Sequence, residues 1–177
     1  MYLKTRIAGI LLTMFHAVSL VGGIGIFVLG IVTFAMGKSA AETAEATPGA
    51  GCGALQGGFM ALLGIGLIIV AIPVIIIAFA SLFGSVKLIK KGSMNAEQYQ
   101  KSIGGTIAFV VWQSIILTAL VVLTVVGGLV AGQPLEAELS GILANVQYLI
   151  IPAASLLTGI ILTALDISKN AKDIKAV

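Results

Sequence analysis

Four long stretches without Asp, Glu, Lys or Arg constrain this chain more than any other feature of its sequence. Each exceeds the ~20 residues that an α-helix needs to cross a ~30 Å hydrocarbon core. A transmembrane β-barrel would instead need ~10-residue segments of alternating polarity, and these stretches do not alternate. The sequence therefore predicts an all-α integral membrane protein with four transmembrane helices, at about Ile7–Met36, Gly57–Val86, Gly105–Ala131 and Ile142–Leu165.

The composition points to the same class of protein. Only 10% of the residues are charged, against roughly 25% in a soluble domain, and the mean hydropathy is +1.15. The net charge is +3, with no long run of basic residues, which argues against nucleic acid as a partner. The expected partners are therefore membrane lipids, with other membrane subunits or copies of the chain itself.

The connections between the apolar stretches are too short for a separate soluble domain. Residues 1–177 are therefore expected to form a single membrane domain, an up-down four-helix bundle. Lys4 and Arg6 precede the first stretch, as basic residues do in a signal peptide. The apolar region of a signal peptide is roughly 7–15 residues long, so this longer stretch is expected to remain as a membrane anchor.

The basic residues alternate along the segments outside the four stretches. The N-terminus, the second connection and the C-terminal tail carry 2, 4 and 3 Lys or Arg, whereas the first connection carries 1 and the third none. Basic residues favour the cytoplasmic side of a membrane. This pattern predicts a multi-pass protein of the cell membrane with both termini in the cytoplasm.

Short-range signals mark the second connection. Lysines followed by Gly92 suit a helix end. Asn95 with Gln98 three residues later is typical of a helix start, and Glu97 with Lys101 forms a favourable pair one turn apart. Asp166, at the end of the fourth stretch, is expected to be solvated.

The two halves of the chain resemble each other weakly. The segment KTRIAGILLTMFHAVSL aligns with KSIGGTIAFVVWQSIIL, and the second and fourth stretches each contain one central proline, Pro73 and Pro152. One interpretation is a duplicated two-helix hairpin; the other is a chance match between apolar segments, since the offset differs between the two comparisons. Each proline removes a backbone hydrogen bond and is expected to kink its helix.

Glycines recur at regular spacing in the first two stretches. Small residues allow membrane helices to approach closely. The seven-residue spacing predicts that these two helices pack along faces formed by Gly23, Gly30, Gly37, Gly57 and Gly64.

Two polar residues, His16 and Gln113, lie well inside apolar stretches. Polar groups at that depth are costly and often functional, so the pair could line an intramembrane polar site. Alternatively, each forms a single hydrogen bond to a neighbouring helix. One histidine and one cysteine, Cys52 in a Gly-rich connection, are too few for a metal centre within one chain, and no cofactor is expected.

Catalytic triads, paired carboxylates and phosphate-binding loops are absent from the sequence, so no enzymatic activity is expected. The favoured function is an accessory or scaffold subunit of a larger integral-membrane complex. One alternative is a small-solute or ion channel or transporter formed between the two hairpins. A further alternative is a self-assembling structural protein of a membrane or envelope.

Overall fold

The computed structural model describes residues 2–46, 51–130 and 135–175, with side chains placed in 2–46, 51–122 and 150–172. These residues form five helices and no strand, which confirms the expected all-α fold. The helices are α1 (Leu3–Glu45), α2 (Gly51–Lys91), α3 (Ala96–Lys101), α4 (Ile103–Val130) and α5 (Leu135–Lys175).

In the described part of the chain, four helical segments are long and apolar enough to cross a membrane, which is consistent with a membrane protein. They are Leu3–Glu45, Gly51–Lys91, Ile103–Val122 and Ile150–Lys172.

The first helix extends past its apolar stretch, from Met36 to Glu45. The additional segment is rich in Ala and Glu, which are strong helix formers. Within it, Lys38 and Glu42 lie 3.8 Å apart on consecutive turns. The polar connection therefore begins as a continuation of the helix.

The short-range signals of the second connection are confirmed. Helix α2 ends at Lys91, and the Asn95 side chain caps α3 by accepting a 2.9 Å hydrogen bond from the backbone N–H of Gln98. The Lys101 ammonium lies 2.8 Å from the Glu97 carboxylate.

The two prolines lie within helices, Pro73 in α2 and Pro152 in α5. Both helices continue on either side of the proline. The expected kinks stay a prediction.

The chain divides into two compact units. Unit 1 contains residues 1–15 and 81–177, and unit 2 contains residues 16–80. In unit 1, α4 contacts α5, and α3 contacts both. A small apolar core of Leu12, Leu88 and Leu156 forms there from α1, α2 and α5. Unit 2 is a hairpin in which α1 and α2 run antiparallel, as shown by contacts of Gly23 with Ile75 and of Gly37 with Gly57.

Candidate functional site

Several glycines of unit 2 lie where the backbones of α1 and α2 approach each other closely. A Cβ atom built on Gly37 would lie 2.7 Å from the carbonyl oxygen of Gly57, and one on Gly57 would lie 2.8 Å from that of Gly37. Gly30 and Gly64 form a second reciprocal pair, at 3.0 and 2.7 Å. A Cβ on Gly23 would lie 3.0 Å from the Ile75 side chain.

Other glycines of the same two helices face open space. Among the described residues, no heavy atom outside the local helix backbone lies within 4 Å of a Cβ built on Gly22, Gly25, Gly58 or Gly66. The described glycines of the hairpin therefore divide into those with atoms of the other helix close to a built Cβ and those without such neighbours.

Unit 1 has an unusually polar interior for so apolar a chain. Burial of a polar group is unfavourable unless the group is hydrogen-bonded. Among the described side chains of this unit, the buried polar residues are Thr5, Ser81, Ser85, Thr106, Gln113, Thr163, Asp166 and Asn170.

Five of the contacts in this interior link the start of α1, helix α3 and helix α5 to one another. The backbone N–H of Thr5 donates a 2.7 Å hydrogen bond to the Asp166 carboxylate, and the Thr5 hydroxyl lies 3.1 Å from the Tyr99 hydroxyl. The Tyr2 hydroxyl donates to the Asn170 side chain, whose amide nitrogen donates to Gln100. The rings of Tyr2 and Tyr99 stack with centroids 4.0 Å apart. We call this group the N-terminal clamp: Tyr2, Thr5, Tyr99, Gln100, Asp166 and Asn170.

The prediction that Asp166 is solvated is wrong, since only 3% of the residue is exposed. Its carboxylate accepts a hydrogen bond in the first turn of α1. A carboxylate is favoured at that position because the N-terminal end of a helix carries partial positive charge and unpaired N–H groups.

The clamp changes the titration of Tyr99. Burial raises the pKa of the Tyr99 hydroxyl, the hydrogen bond with Thr5 opposes this shift, and the charge of Asp166 adds to it. The neutral phenol is therefore favoured beyond its usual pH range.

Four further hydrogen bonds join α2 to its neighbours in unit 1. The Thr13 hydroxyl donates to Ser85 at 3.1 Å, linking α1 and α2. The indole N–H of Trp112 donates to Ser81 at 2.9 Å, linking α2 and α4. The Lys91 ammonium donates at 3.0 Å both to the Ser102 carbonyl oxygen and to the Thr106 hydroxyl.

The two residues of the predicted intramembrane polar site are both buried, with 2% of His16 and 1% of Gln113 exposed. His16 belongs to unit 2 and Gln113 to unit 1, and a site shared by the two stays a prediction. Cys52 is exposed at the start of α2.

Within the described part of the chain, no three His, Cys, Asp or Glu residues lie close enough together to hold a metal ion. In unit 1, hydroxyl, amide and carboxylate groups form hydrogen bonds between helices of the same chain.

The sequence interpretation missed the clamp, although α5 carries a signal of it. Gly159, Thr163, Asp166 and Asn170 recur at intervals of three and four residues, the spacing of one helix face. Such a stripe of small and polar residues indicates a helix face turned towards other helices. It does not by itself indicate which helix faces it.

Comparison with protein families, curated proteins and solved structures gives no match to this chain.

Proposed function

We propose that this protein is a non-enzymatic accessory or scaffold subunit of a larger integral-membrane complex. It lies in the cell membrane as an up-down four-helix bundle with both termini in the cytoplasm. The glycine faces of α1 and α2 hold its first hairpin together, and a duplicated hairpin remains one route to this architecture.

The observation that carries the proposal is the length of the exposed apolar surface. The uncharged part of α1, between Arg6 and Lys38, covers roughly 30 residues or ~46 Å, against a hydrocarbon core of ~30 Å. Large apolar side chains remain exposed along the hairpin as far as Met36, Leu55 and Phe59.

Lipid covers such a surface only within the hydrocarbon core, or over a longer distance if the hairpin tilts strongly. Large contiguous apolar patches outside the core mark sites of protein contact. The end of unit 2 is therefore the part of the chain that a neighbouring subunit would cover.

The polar interior of unit 1 supports a structural role. Its hydroxyl, amide and carboxylate groups bond to one another between helices, as Thr5 does with Asp166 and Tyr99. Groups used in this way hold a framework together and present no reactive centre.

Purification in a mild detergent tests the proposal directly. We expect other polypeptides to accompany the chain in a fixed ratio. A photoreactive residue in place of Phe59 should form a discrete adduct with one of them, whereas the same residue in place of Ser93, in the exposed turn after α2, should not. Purification of the chain alone, or only as copies of itself, would contradict the subunit proposal and favour a pore or an envelope protein.

Substitution of His16 by Ala or Leu separates the scaffold from the transporter. Loss of the complex with the chain still inserted would support a scaffold. Loss of solute flux in an intact complex would support transport through a site that includes His16.

A further inference from the structure

At the helix ends of unit 1, three basic residues interact with other groups of the same chain. Lys101 is paired with Glu97, and Lys91 donates to Ser102 and Thr106. The Lys169 ammonium lies 5.9 Å from the centre of the Tyr2 ring. These three charges are engaged by the chain itself.

Five other described cations of unit 1 are exposed and make no ion pair with a described carboxylate: Lys172 on α5, and a group of four on α1 and α2. Two described acids of unit 1 are already engaged, since Glu97 pairs with Lys101 and Asp166 is buried against Thr5. We call this group of four the basic corner: Lys4, Arg6, Lys87 and Lys90.

The two helix ends that carry the basic corner touch at the backbone. The N–H of Tyr2 donates a 3.0 Å hydrogen bond to the carbonyl oxygen of Gly92. A Cβ atom on Gly92 would lie 2.6 Å from the backbone nitrogen of Arg6, and one on Gly9 would lie 2.8 Å from that of Ile89. The first turns of α1 and the last turns of α2 therefore lie together, and the four cations are at the same end of unit 1.

Large apolar side chains stand exposed on the same helix turns. Leu3 and Ile7 flank the cations of α1, and Phe83 and Val86 precede those of α2. A ligand that matches this surface combines an anionic group for the cations with hydrocarbon for the neighbouring side chains. A soluble anion has only the first of these, whereas an anionic phospholipid has both.

We propose that the basic corner binds the phosphate groups of anionic phospholipids, whose acyl chains lie along the exposed apolar side chains below it. Basic residues close to a membrane surface attract anionic lipids by about 1 kcal/mol each, equivalent to about fivefold in affinity. The proposal does not depend on a partner subunit.

Lipid retention by the purified full-length chain tests the proposal. The protein is exchanged into micelles of a neutral detergent containing equal amounts of phosphatidylglycerol and phosphatidylcholine, and the lipids that remain after size-exclusion chromatography are measured by mass spectrometry. We expect an excess of phosphatidylglycerol that decreases as salt is raised, because salt screens exposed charges.

The double variant K87Q/K90Q should lower the ratio of the two lipids by at least about fivefold. The matched control is K38Q, which removes one exposed lysine of unit 2 and should leave the ratio unchanged. If the double variant elutes as an aggregate, K4Q/K90Q removes one cation from each helix and serves as the second test.

Equal retention of both lipids by the unmodified chain would overturn the proposal, as would an equal decrease in K38Q. Displacement of phosphatidylglycerol by a tenfold excess of inorganic phosphate would also overturn it, because it would show that the acyl chains contribute nothing. None of these results depends on whether other polypeptides purify with the chain.

Discussion

Asp166 accepts a hydrogen bond from an N–H group in the first turn of α1, although it belongs to α5. Such a capping side chain usually comes from the residue next to the helix it caps. The residue before α1 is Tyr2, whose hydroxyl is used at Asn170. The carboxylate that accepts from the first turn of α1 comes instead from α5, at 2.7 Å from the Thr5 nitrogen. The start of one helix is thereby linked to the end of another.

Replacement of Asp166 by Ala should destabilise the protein by about 1–3 kcal/mol, because it leaves the buried N–H of Thr5 without an acceptor. Asp166→Asn should cost less, since its amide oxygen can still accept. The free energy of unfolding in detergent measures both effects. Glu97→Ala, which removes only an exposed ion pair, is the control and should change little. Equal stability of all three variants would contradict the capping role.

The raised pKa of Tyr99 predicts that the protein loses stability at alkaline pH. Its pKa is raised in the folded protein, so folding favours the neutral phenol. Its contribution is complete below pH ~10, the value for an unperturbed tyrosine, and is lost as the pH rises from there through the folded-state pKa. Unfolding measured between about pH 9 and pH 11 should show a steeper loss in the unmodified protein than in Tyr99→Phe. Parallel curves would show that Tyr99 contributes no such dependence.

At some glycines of unit 2, an added side chain would meet the backbone of the other helix. A Cβ on Gly57 would meet backbone atoms of α1, namely the Ala41 Cα at 2.9 Å and the Gly37 carbonyl oxygen at 2.8 Å. The end of a flexible side chain can move by changing its rotamer, but backbone atoms cannot. The two helices would have to separate to accommodate even one methyl group.

Gly57→Ala should therefore destabilise the hairpin by about 1–3 kcal/mol, the usual cost of overpacking. Gly66→Ala is the matched control on the same helix, because its Cβ would enter open space and alanine is the better helix former. Unfolding of the two variants in a denaturing detergent gives the comparison. A Gly57→Ala protein as stable as Gly66→Ala would contradict the packing proposed for the glycine faces.

The proposed arrangement of the whole molecule in the membrane places Cys52 and Ser93 on opposite sides. Cys52 is the single cysteine of the chain, and both residues are exposed. A maleimide that does not cross membranes should label Cys52 in intact cells. It should label a Cys52→Ser/Ser93→Cys variant only after the cells are opened. The reverse pattern would invert the orientation predicted from the basic residues, and labelling of both would contradict the four-span arrangement.

Much of the fold follows from the sequence because it depends on average hydrophobicity and on interactions within one or two helix turns. The absence of charge over roughly 30 residues at a time identifies helices suited to lipid. The α3 cap at Asn95 and the pair of Glu97 with Lys101 could be predicted from the sequence because each contact joins residues three or four positions apart.

The tertiary structure alone decided which distant groups meet. Thr5 and Asp166 lie at opposite ends of the chain, and Trp112 reaches Ser81 across two helices. Periodicity shows that a polar stripe faces inward, but many partners on other helices satisfy that pattern equally well. The sequence predicts that Asp166 is solvated because its partner, the backbone N–H of Thr5, cannot be identified from sequence alone. Hydrophobicity thus determined that the chain forms apolar helices, whereas three-dimensional packing determined how the polar side chains of unit 1 join them.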